Sequence, residues 1–70
     1  MTLDPIEIGD RLRDRRRRLA MSQSTLADII GTTQGHVSGW ERGRHLVSLE
    51  TAVTLSEALK ISLDHLVLGK

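Results

Sequence analysis

The stretch Ser22 to Gly43, SQSTLADIIGTTQGHVSGWERG, constrains this chain more than any other. Its punctuation predicts two short helices joined by a tight turn. Ser22 can cap the first by accepting a hydrogen bond from a free backbone N–H, and Gly31 can adopt the left-handed conformation that ends it at Ile30. Thr33 can then cap a second helix that starts at Gln34. Leu26, Ala27 and Ile30 give the first helix an apolar face, and Val37 and Trp40, three apart, give the second a matching one. The small Ala27 lets the two axes come close. Together these are the constraints of a helix-turn-helix.

On these residues the chain resembles the lambda-repressor-like helix-turn-helix family, also called the Cro or XRE type. The resemblance rests on SQxxLA at Ser22–Ala27, GTTQ at Gly31–Gln34, VSxWERG at Val37–Gly43 and SLDHL at Ser62–Leu66, and it covers nearly all of the 70 residues. It implies an all-α, compact five-helix domain occupying residues 1–70, with the helix-turn-helix at about residues 23–42, that binds double-stranded DNA.

The size of the chain allows one small core. Without cysteine, neither disulfides nor thiolate metal sites can supplement that core, and a reducing cytosol is the expected setting. No stretch reaches the roughly 20 apolar residues of a membrane span, and MTLDPIEIGD carries acids where a signal peptide needs basic residues, so a cytoplasmic protein is expected. The formal net charge of +1 conceals a division along the chain. Residues 1–10 carry −3 and residues 45–70 carry −1, whereas residues 11–44 hold eight arginines against Asp14, Asp28 and Glu41, a local +5. The positive excess therefore lies in and just before the two-helix unit, where a polyanion-binding surface needs it. One Trp and no Phe or Tyr leave no stacking platform for unpaired bases, which disfavours single-stranded RNA.

Asp4, Pro5 and Glu7 announce the first helix, with Asp4 as N-cap, Pro5 where its missing N–H costs nothing and Glu7 closing a capping-box-like pair. It is predicted to run to about Leu19. Ile8, Leu12 and Leu19 share one stripe with Arg15, whose stem is expected to pack while its guanidinium reaches solvent or an acid. Arg11, Arg13, Arg17 and Arg18 cover the other faces, either as a solvated surface or as a field that attracts DNA. Beyond the connector Arg44–Val47, Ser48 caps a helix with Leu49, Ala52, Leu55, Ser56 and Leu59 at helical spacing. Ser62 caps a last short helix with Leu63, Leu66 and Val67 on its core face and Leu68 as surplus apolar surface.

On a helical wheel from Gln34, the residues Val37, Trp40 and Glu41 cluster on one side, while Gln34, Gly35, Ser38, Gly39 and Arg42 spread over the other. One side anchors and the other is free to read. Such a helix fits the major groove, where Gln34 can bond adenine through N6 and N7 and Thr33 can set its methyl against thymine. Ser38 is an adaptable donor and acceptor. Gly35 and Gly39 cost helix stability. They indicate close backbone approach to the groove, or simple tolerance of small residues.

Phosphate contacts are expected to frame this helix. The resemblance puts Gln23, Arg42 and Arg44 near the DNA backbone, and Ser22 and Gln23 stand at a helix N-terminus, which attracts phosphate. His36 can reach a phosphate from the helix edge. Glu41, an acid that repels DNA, needs a partner; the resemblance implies a salt bridge to Arg16, with Arg15 the alternative. The three histidines lack metal-ligand spacing and no nucleophile arrangement occurs, so no catalytic residue, metal, cofactor or small-molecule ligand is expected.

The reading is a transcriptional regulator, a repressor that binds a palindromic operator as a homodimer, since one helix reads too few base pairs for selectivity. The dimer surface is expected on the C-terminal helix, at Leu63, Leu66, Val67 and Leu68. An antitoxin or controller protein of the same fold, with a protein partner as well as DNA, is the competing reading.

Overall fold

Every helix of this protein starts on a side-chain cap. In the computed structural model, which describes residues 2–70, the helices are α1 (Pro5–Arg18), α2 (Gln23–Ile30), α3 (Gln34–Glu41), α4 (Leu49–Leu59) and α5 (Leu63–Leu68). Asp4 accepts from the Ile6 N–H at 2.9 Å, Ser22 from Thr25 at 2.9 Å and Thr33 from His36 at 3.2 Å. Ser48 accepts from Thr51 at 3.1 Å and Ser62 from His65 at 3.0 Å. Each cap satisfies a donor the helix itself leaves free. Glu7 closes no capping box: the Asp4 carboxylate acts alone.

The core is built from Leu12, Leu26, Ala27, Val37, Leu55, Leu59 and Leu66, one or two from each helix, with Trp40 and Val67 packed against its margin. Leu66 is fully buried there, so it cannot lie on a dimer surface; α5 is too short to spare its central residue from the core. Leu68 is likewise half-buried rather than surplus, in a cleft with Thr2, Leu3 and Arg11.

α1 is held to the other helices by bonds that its periodicity does not announce. Arg15, half-buried, meets carbonyls rather than an acid: its Nε donates to the Leu59 carbonyl at 2.8 Å, at the end of α4. Arg11 does the same for α5, donating to the carbonyls of Leu66 at 2.8 Å and Val67 at 2.9 Å. A cation at a helix C-terminus satisfies carbonyls without intrahelical partners and complements the helix dipole. Arg13 and Arg18 form surface pairs with Asp10 and Asp14. Gly9 lets α1 meet α3. A Cβ there would lie 2.7 Å from the Glu41 carbonyl oxygen and closer still to that of Trp40.

Candidate nucleic-acid interface

The turn between α2 and α3 follows from Gly31, whose φ of 76° lets the chain leave α2 in the left-handed region. Thr32 then donates its N–H to the Ala27 carbonyl at 2.9 Å, and Thr33 opens α3. Val37 points into the core with no exposure, and Glu41 is 4% exposed. Thr33, Gln34, Gly35, His36 and Arg42 are exposed and Ser38 is half-buried. The amphipathic division of α3 thus holds one side in the domain and turns the other outward. Ser22 and Arg44 are exposed beside this surface, and Gln23 is half-buried.

Gly39 departs from the expected free face. It is buried, and what covers it is the imidazole of His45 from the connector after α3: a Cβ on Gly39 would lie 3.2 Å from His45 Cε1. Gly35, one turn earlier, is open, with Thr33 Oγ1 3.9 Å from the equivalent position.

Gln34 and Gln23 belong to a hydrogen-bonded chain that starts in the interior. Arg16 meets Glu41 in a fork, Nε to Oε2 at 2.6 Å and Nη2 to Oε1 at 2.9 Å, and its Nη1 donates to the Met21 carbonyl at 2.8 Å. Gln23 Nε2 donates to Glu41 Oε1 at 3.0 Å, and Gln34 Nε2 donates to Gln23 Oε1 at 2.6 Å. The order of donors is dictated by chemistry. An ionised carboxylate only accepts, so Gln23 must turn its NH2 to Glu41; its carbonyl then faces Gln34, which must present an NH2 in turn. Gln34 is left with a free Oε1 and one free N–H, the acceptor and donor that a bidentate contact with adenine N6 and N7 uses. Gln23 therefore serves first as a brace between Glu41 and Gln34, a role its place at the start of α2 does not disclose.

Burial pushes the Glu41 carboxyl upward, but the hydrogen bonds from Arg16 and Gln23 and the charges of Arg16 and Arg13 outweigh it, so its pKa lies below the usual carboxylate range. The hydrogen bond to Glu41 raises the Arg16 pKa against a smaller desolvation penalty. His36 is tied to the domain by a 2.8 Å contact between Nδ1 and Thr32 Oγ1 and by stacking on Trp40, with ring centroids 6.1 Å apart. Among the described residues, Arg17, Arg42 and Arg44 are the arginines whose guanidinium groups have no side-chain or carbonyl partner.

The proposed dimer residues separate. Leu63 and Val67 line an apolar groove of about 170 Å³ with Leu3, Leu46, Val47 and Leu49, while Leu66 belongs to the core. Among the described residues the most exposed large apolar one is Leu49, at 75%, followed by Ile6, Ile29 and Leu46.

Comparison with known proteins places this architecture. A helix-turn-helix family model matches residues 12–66. Repressor protein C2 of Salmonella phage P22 is 36% identical over 62 residues, which cover 89% of this chain and 29% of that protein. The cryptic phage CTXphi transcriptional repressor RstR of Vibrio cholerae is 33% identical over 61 residues, 87% of this chain and 54% of that one. The chain thus spans between about a third and about a half of these curated relatives. The crystal structure of the P22 c2 repressor in complex with a synthetic operator superposes with a TM-score of 0.86 at 35% identity, covering 90% of this chain and 96% of that one. The restriction-modification controller protein C.AhdI of Aeromonas hydrophila gives 0.85 at 40% identity, over 90% and 91% of the two chains. Matching four-part motif, five-helix architecture and relatives agree: the chain belongs to the lambda-repressor-like, Cro/C1-type helix-turn-helix family.

Proposed function

We propose that this chain is a sequence-specific DNA-binding transcriptional regulator, a repressor that acts as a homodimer on a palindromic operator. The observation that carries the reading is α3, clamped by Val37 on one side and exposed through Thr33, Gln34, Gly35 and Arg42 on the other. Gln34 is braced with a donor and an acceptor outward, as reading adenine in the major groove requires. Ser22 at the start of α2 and Arg42, Arg44 and His36 around α3 supply phosphate contacts. The likeness to an operator-bound repressor supports double-stranded DNA as the ligand. A body of 32 × 22 × 20 Å can stand beside a second copy with reading helices about 34 Å apart, the spacing of half-sites one helical turn apart. The likeness to the restriction-modification controller protein C.AhdI favours, of the competing antitoxin and controller readings, a controller protein as the second reading.

Selection of bound sites from random duplex DNA, followed by a salt titration on the selected operator, tests the proposal. The expected result is a palindrome with a log-log salt slope near −5, from about three neutralised phosphates per protomer. No enriched site, or binding indifferent to salt, would refute it.

A further inference from the structure

Near its C-terminal end the reading side of α3 lacks a side chain, at Gly39, and a residue outside the helix occupies the place. At 100° per residue Gly39 projects nearly opposite the side clamped by Val37, Trp40 and Glu41, so it belongs where a duplex must approach. It is nevertheless buried, because His45 lies across it, with Cε1 3.2 Å and Nε2 3.7 Å from the position of a Cβ. His45 is itself exposed, and neither of its ring nitrogens has a hydrogen-bond partner among the described residues. A duplex seated on this side of α3 meets the imidazole before it meets the helix backbone. The ring offers an N–H donor and a nitrogen acceptor, a pair suited to a base edge.

We infer that His45, from the connector, is a base-reading residue of this protein. Gly39 is its platform: the absent side chain lets the ring settle on α3. Gly39 lies five steps along the helix from Gln34, a rise of about 7.5 Å, so His45 reads a base pair other than the one read by Gln34. The class of ligand atom is a major-groove acceptor of a purine, N7 or guanine O6. This inference rests on the DNA-binding reading given above.

The test is site selection from random duplex DNA with the parent chain, His45→Ala, His45→Gln and Gly39→Ala, each checked for an unchanged thermal transition or a rise. His45→Ala should lose base preference at one position per half-site, with an affinity loss of about 5- to 150-fold for the parent's operator. His45→Gln should restore a preference at that position alone. Gly39→Ala should lose preference at the same position by pushing the ring aside, and the double variant Gly39→Ala/His45→Ala should be no worse than the worse single variant. Unchanged preferences in His45→Ala overturn the inference, and so does a loss spread evenly over all positions, which marks a phosphate contact. A parent chain that enriches no site at all overturns the DNA-binding reading itself.

Discussion

The ion pair Arg16–Glu41 ties the stability of this protein, through Gln23, to Gln34, the side chain proposed to read DNA. Both partners are buried, the side chains 9% and 2% exposed, and each is fully engaged. Such a pair adds little over a well-packed apolar one, but removing one partner strands a charge. Glu41→Ala should therefore cost about 3 kcal/mol or more, and Arg16→Met/Glu41→Leu less than that. Denaturant midpoints of the three proteins at neutral pH check the order; a loss under about 0.5 kcal/mol for Glu41→Ala contradicts it. The sign with pH follows from the lowered pKa of Glu41. Its contribution is fully present above the unfolded glutamate value of about 4.3 and is lost as the pH falls through the lower folded value. The parent should lose stability over that acid range more steeply than the double variant. At this scale the sequence is partly readable. That Glu41 needs a partner follows from its sign near a helix C-terminus, whereas the Gln23 brace does not, because the sequence separation of 18 between Gln23 and Glu41 is closed only by tertiary packing.

Helix starts are legible because capping is local: an oxygen-bearing side chain and an N–H two or three residues on meet whatever the rest of the chain does. Helix ends are less so. The carbonyls at the ends of α4 and α5 are satisfied by Arg15 and Arg11, 44 and 55 residues away. No periodicity records that distance, and an arginine in an apolar stripe reads as a conflict until its acceptor is seen. Glycine shows the same contrast between local and tertiary causes. Gly9 sits where α1 touches the backbone of α3, and no flexible side chain can give way. Gly9→Ala should thus destabilise by about 1–3 kcal/mol, although alanine is the better helix former by about 1 kcal/mol. Gly35→Ala, in open space, should gain up to about 1 kcal/mol. Urea denaturation of the two variants distinguishes them, and a stabilised Gly9→Ala would mean that α1 and α3 separate freely.

At the scale of the molecule, the apolar surface left over after folding is where a second copy would sit in the proposed homodimer. Leu66 is spent on the core, and of the outward apolar residues Leu46, in the connector, and Leu49, at the start of α4, line the same groove as Leu63 and Val67. Burying such a patch is the ordinary source of dimer affinity. Leu49→Glu should leave the melting temperature of the monomer nearly unchanged while raising the dimer Kd about tenfold or more. Sedimentation equilibrium alongside thermal melts measures both, and undiminished self-association would move the interface elsewhere.

The fastening of α1 has its own consequence for how this domain can be reused. Three of its arginines hold, in turn, the tail of α5, the tail of α4 and the acid at the foot of α3. The two-helix motif is thus a passenger on a frame supplied by the flanking thirds of the chain. Transplanted by itself, it would carry the letters of the address and lose the hand that holds them to the page.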